Sequence, residues 1–166
     1  PMSFSVLFLA DTHLGFDCPA RPRVDRRRRC EEFFGNFDRA LDYAISSSVD
    51  LVVHGGDLFF RSKVRSEIVE RVINSLRRLN EANIPVYIVP GNHERSALPC
   101  PVLWNSEHFN VFAEARSFTL TKEGQTLLLA GFPYSRKNMS ENFTKLLQQS
   151  GYQSKAAHAR LLCLHH

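Results

Sequence analysis

The chain has 166 residues, 43% apolar and 23% charged, with a formal net charge of +4 at pH 7. That length gives one domain with a real core, residues 1–166, and excludes a helical membrane protein, because no apolar run approaches the roughly 20 residues a spanning helix needs. The N-terminus lacks the basic segment and cleavage site of a signal peptide, and Pro1 ahead of Met2 reads as a non-native addition.

Phe4–Ala10 is a short, nearly continuous apolar run, which predicts a strand covered on both faces. Residues 11–30 form a polar loop with Gly15, Pro19 and Pro22. Phe33, Phe37, Leu41, Ala44 and Ile45 then recur at helical spacing and predict an amphipathic helix over 31–48, with Glu31 and Glu32 at its acidic start. Asp50–His54 is the second strand. Ile68, Val69, Val72, Ile73, Leu76 and Leu79 mark a second helix, with Ser62 or Ser66 as its N-cap. Pro85–Val89 is the third strand. This βαβαβ start implies a parallel sheet with helices on its faces.

The second half changes character. Residues 110–113, 117–121 and 125–131 read as strands, with Glu123-Gly124 as a hairpin turn. A helix over 141–149 and a strand over 160–164 follow. Cys18, Cys30, Cys100 and Cys163 are scattered with no CxxC pair, and read as reduced thiols of a cytoplasmic protein.

Four segments at the ends of predicted strands carry the chemistry: Asp11-Thr12-His13, Gly56-Asp57, Gly91-Asn92-His93-Glu94 and His165-His166. Residues i and i+2 of a strand point the same way, so Asp11 and His13 present a carboxylate and an imidazole together. Asp57 follows two glycines that permit close backbone approach, and its carboxylate is placed to bridge two ions. Asn92 adds an amide oxygen, His93 beside it is either a ligand or a group acting on the substrate, and His165 closes the set. Each motif alone is weak, since Asp and His also form turns and caps. Their shared placement at the C-terminal edge of a parallel sheet, where such sheets bind ligands, predicts a centre for two divalent cations. Mixed Asp, Asn and His donors suit Mn²⁺, leave Fe or Zn²⁺ open, and argue against Ca²⁺. Glu94 either orients His93 or begins a short helix. His54, at a strand end, reads first as structural, and His108 and His158 as surface residues.

These motifs, with Gly55-Gly56-Asp57-Leu58-Phe59 followed by Phe60, and with Gly131-Phe132-Pro133-Tyr134, resemble the calcineurin-like metallophosphoesterase superfamily. The wording is most similar to its DNA repair exonuclease branch, which holds the SbcCD-type nuclease subunits. The resemblance implies an α/β sandwich in which mixed sheets are flanked by helices. It implies that Asp11 and His13 hold one metal, that Asp57 bridges, that Asn92 and His165 hold the second, and that catalytic His93 faces the substrate. His165 is preferred to His166 because it directly follows the strand. The family's Gly-His-x-His ligands are absent, so the chain is expected to be truncated at its C-terminus.

Arg21, Arg23, Arg26, Arg27, Arg28 and Arg29 follow the first metal motif and form a candidate nucleic-acid grip. The plainer alternative is a solvated loop whose last arginines pair with Glu31 and Glu32. Phe16, Phe59, Phe60 and Trp104 lie near the motif loops, two or three of them expected in the core. The reading is a two-metal DNA phosphodiesterase, an exonuclease, with DNA as substrate, no membrane, an SMC-like ATPase as the partner the resemblance implies, and a homodimer left open. Two alternatives stand beside it: an enzyme for a small phosphate ester, and a catalytically incompetent fragment or DNA-binding module.

Overall fold

The computed structural model describes residues 3–94, 109–135 and 139–166; Trp104 and His108 lie outside them. In chain order the elements are β1 (Val6–Leu9), α1 (Cys30–Ser46), β2 (Leu51–His54), α2 (Ser66–Glu81), β3 (Val86–Ile88), β4 (Phe109–Val111), β5 (Arg116–Lys122), β6 (Gln125–Gly131), α3 (Met139–Gln149) and β7 (Ala159–Cys163). Strands β1 to β4 form one sheet in sequence order, parallel throughout. A second sheet has the order β5-β6-β7, antiparallel in its first pair and parallel in its second. The α/β sandwich expected from the sequence is therefore present.

Helical periodicity decides what the first sheet packs against. Phe34, Phe37, Leu41 and Ala44 on α1, and Ile68, Val69, Val72, Leu76 and Leu79 on α2, recur three or four residues apart and are buried. They meet Val52, Val86 and Ile88 in one core cluster. The alternate strand positions, Leu51, Val53, Tyr87 and Val89, face the other way and pack on Leu127, Leu129 and Cys163 of the second sheet. Each fully buried Leu, Val or Phe contributes about 1.5–3 kcal/mol relative to exposure. The predicted hairpin turn is confirmed: Glu123 and Gly124 both have positive φ, 49° and 78°, as a two-residue type I′ loop requires.

Three expectations need correcting. Strand β1 is covered on one face only: Leu7 and Leu9 join the helical core, whereas Val6 and Phe8 are 36% and 61% exposed. It lies at the edge of its sheet, and an apolar run alone does not reveal that. Neither serine caps α2: Ser66 is its first residue, preceded by extended Arg65, and no side chain makes a capping hydrogen bond. Cys18 and Cys30 form a disulfide, with Cα atoms 5.2 Å apart, while buried Cys163 is free. The pairing is hidden in sequence because the loop between these cysteines folds back on itself only through a carboxylate, Asp17, described below.

Candidate metal centre

Because β1, β2 and β3 run parallel, their C-terminal ends deliver three loops to one edge of the sheet. The first two loops are laced together: Asp11 N–H donates to Gly56 O at 3.0 Å, His13 N–H to Asp57 O at 3.0 Å, and Leu14 N–H to Leu58 O at 2.8 Å. Asp11, His13 and Asp57 sit at φ of 54°, 44° and 53°. Non-glycine residues rarely adopt this left-handed region, and each costs of order 1–3 kcal/mol unless its surroundings enforce it. The strained turns bring Asp11 and His13 each beside Asp57.

Donor atoms of His13, Asp57 and His93 lie within 4.8 Å of one another, and so do those of Asp11, Asp57 and His165. Asp57 belongs to both groups and is 3% exposed. Its Oδ2 lies 3.7 Å from Nε2 of both His93 and His165. The Asp11 carboxylate is also 3.9 Å from His13 Nε2, so it reaches toward either group. His165 presents Nδ1 to Gly55 O at 2.9 Å and Nε2 to Asn92 Oδ1 at 2.8 Å. In the tautomer that donates Nδ1–H to Gly55 O, Nε2 turns a lone pair toward a second oxygen, an arrangement a cation relieves. His13 Nδ1 is buried without a hydrogen-bond partner. A Cβ at Gly56 would run into the His165 ring, and one at Gly91 into the Asp57 carboxylate. The shared carboxylate, the converging acceptors and the cleared backbone fit a pair of divalent cations.

Glu94 and His54 fix the loops that carry the donors, and His93 stands among the donors themselves. Glu94 is 1% exposed and accepts backbone N–H groups from Asp57 at 3.1 Å, Phe59 at 2.7 Å and Gly91 at 2.7 Å. Of the two roles considered for it, neither describes this one; it staples the second and third loops. Burial pushes its carboxyl pKa up, against the pull of those N–H groups. His54 is 3% exposed and contacts Thr12 Oγ1 and the Gly56 amide. Burial, with lesser help from His165 and His13, holds its pKa down at about 3, so it is uncharged. His93 directs Nδ1 to Phe60 O, its N–H donates to Asp57 Oδ1 at 2.9 Å, and its ring centroid is 4.8 Å from that of His13. Nε2 is left facing the donor cluster.

The structure thus gathers Asp11, His13, Asp57, Asn92, His93 and His165 at one edge. His166 is exposed and outside both donor groups. The arginine loop divides. Asp17 holds Arg26 and Arg28 through ion pairs of 2.6 and 3.1 Å and accepts the Arg29 amide at 2.9 Å. Arg27 and Arg29 pair with Glu32, whereas Glu31 turns to Arg71. Arg21 and Arg23 are exposed and make no ion pair among the described residues. His158 is exposed, as expected, and exchanges hydrogen bonds with Thr126.

Sequence reading missed Arg61 and Lys63. They line a hollow of about 210 Å³ with Leu14, Gly15 and Phe60, between the first and second loops. Their signal was their place directly after the Asp57 motif. Phe59 is core, whereas the Phe60 ring packs edge-on against Phe16 at 4.8 Å and near His93 at 5.9 Å.

Compared with known proteins, residues 4–166 match the family described as calcineurin-like phosphoesterase, and the chain belongs to that family. It is 24% identical over 160 residues to the DNA double-strand break repair protein Mre11 of Methanocaldococcus jannaschii, covering 95% of this chain and 42% of that protein. It is 40% identical over 89 residues to Mre11 of Methanosarcina mazei, covering 54% of this chain and 14% of that protein. The chain thus spans less than half the length of these relatives. A dimetal phosphatase from Danio rerio shares the fold, with a TM-score of 0.52 at 17% identity over 87% of this chain and 50% of that one.

Proposed function

We propose that this chain forms the catalytic part of a divalent-metal-dependent phosphodiesterase that hydrolyses DNA, as an exonuclease in repair. The observation that carries the reading is the buried Asp57 carboxylate shared by two groups of donors. The names of the relatives and the cations of the flanking loops favour DNA over a small ester. Asp11 and His13 would hold one ion, Asn92 and His165 the second, with Asp57 between them and Mn²⁺ the favoured metal. Such a pair, when bound, supplies a more acidic water and neutralises charge on a phosphate.

The chain's own residues do the rest. Glu94 and the laced loops keep the donors fixed, so no reorganisation is needed as charge develops. With Nδ1 engaged by Phe60 O, His93 offers Nε2 to the substrate and would pass a proton to the leaving oxygen. Arg21, Arg23, Arg61 and Lys63 would grip the phosphate backbone on either side. A cytoplasmic setting, an SMC-like ATPase partner and a homodimer complete the proposal.

The test is Mn²⁺-dependent degradation of end-labelled linear DNA, with His93→Ala as control. Degradation that the control loses supports the reading. Hydrolysis of bis(p-nitrophenyl) phosphate without degradation of DNA replaces it with the small-ester enzyme. Failure to bind Mn²⁺ leaves only the non-catalytic module.

A further inference from the structure

We propose that His54 is a positioning residue for the metal centre, acting through Thr12 to clamp the Asp11–His13 turn onto the Gly56–Leu58 turn. The inference rests on the reading of this edge as a metal centre, and it concerns residues that are not themselves donors in either group. The donor and acceptor roles follow from chemistry alone. The Gly56 N–H can only donate, so His54 Nδ1, 3.3 Å away, accepts. The ring proton is therefore on Nε2, which donates to Thr12 Oγ1 at 2.9 Å. The Thr12 hydroxyl then spends its own proton on Leu58 O at 3.1 Å. The relay is closed, with every proton assigned and one tautomer compatible with it.

Its placement gives it work to do. Thr12 stands between Asp11 and His13; Gly56 and Leu58 stand on either side of Asp57. The relay thus ties the residue between Asp11 and His13 to the two residues that flank Asp57. Hydrogen bonds of the backbone ladder set the spacing of the turns, and the relay sets their rotation about that ladder. The ring is 3% exposed, so water does not replace it as a partner. Outer-shell groups of this kind typically change metal affinity 10–100-fold when removed.

The experiment is calorimetric titration of the metal-stripped chain with Mn²⁺, comparing wild type with His54→Phe, Thr12→Val, Thr12→Ser and the Phe/Val double variant. We expect His54→Phe and Thr12→Val each to weaken binding by roughly 10-fold or more. The double variant is expected to lose no more than the worse single, because both break one relay. Thr12→Ser, which keeps the hydroxyl, is expected to bind as wild type does. ¹⁵N NMR of the metal-free chain should find the His54 proton on Nε2. Wild-type affinity in Thr12→Val, equal losses in Thr12→Ser and Thr12→Val, or a proton on Nδ1 would overturn the proposal, and these readouts stand even if His54→Phe does not fold. A wild-type chain that binds no Mn²⁺ overturns the metal centre itself, a separate outcome.

Discussion

The Glu94 carboxylate accepts the backbone N–H of Asp57 at 3.1 Å, joining the second motif loop to the third inside the protein. It also takes the amides of Phe59 and Gly91. Removing it leaves three buried N–H groups without an acceptor, each costing about 1–3 kcal/mol. Glu94→Ala should therefore lower the free energy of unfolding in urea by about 3 kcal/mol or more. Glu94→Gln, which retains one acceptor oxygen but loses the charge, should fall between that variant and wild type.

His93 lies within reach of two roles, proton donor and metal ligand. For the first, His93→Ala should reduce turnover by ~10²-fold or more while Mn²⁺ titration of the stripped protein is nearly unchanged. Loss of metal binding in that variant would make His93 a ligand.

Asp17 couples the arginine loop to pH. The Arg29 amide, then the Arg26 and Arg28 guanidinium groups, lower its pKa from 3.8 to about 2. A carboxyl whose folded pKa is depressed stabilises the fold fully above its unfolded value and loses that contribution as pH falls through the folded one. The clasp should thus be intact at neutral pH and released between pH 3.8 and about 2. Amide hydrogen exchange across residues 17–30 should accelerate in that window, and in Asp17→Asn should be fast at neutral pH as well.

The Cys18–Cys30 disulfide closes a loop of sequence separation 12. Cross-linking a loop of this size removes about 3 kcal/mol of chain entropy from the unfolded state. Dithiothreitol, or a Cys18→Ala/Cys30→Ala pair, should reduce stability by about that amount in urea unfolding. Equal stability with and without reductant would show that the bridge does not form in solution.

For DNA, the cations without an ion-pair partner among the described residues should dominate. Replacing Arg21, Arg23 and Arg61 together by Ala should reduce the slope of log K against log salt by roughly 3. Replacing Arg27 and Arg29, which serve Glu32, should change the slope less. The reverse order would move the DNA path onto the paired arginines.

Much of this arrangement was legible in the sequence, because it depends on local periodicity. The period of α1 and α2, the apolar runs of β2, β3 and β6, and the Glu123-Gly124 turn each follow from neighbours a few residues apart. The candidate site was legible for a related reason: Asp11, His13, Asp57, Asn92, His93 and His165 all follow strands, and parallel strands end at one edge. What the sequence alone determined was therefore the elements and the fold class, and it named the residues that the fold brings to one edge. The tertiary structure decided the exposed face of β1, the division of the arginines between structure and solvent, the disulfide, the Glu94 staple and the His54–Thr12 relay. Each of these depends on which groups from distant segments meet in space, and on how a buried polar atom finds its partner once water has been excluded. Periodicity carries no record of such meetings.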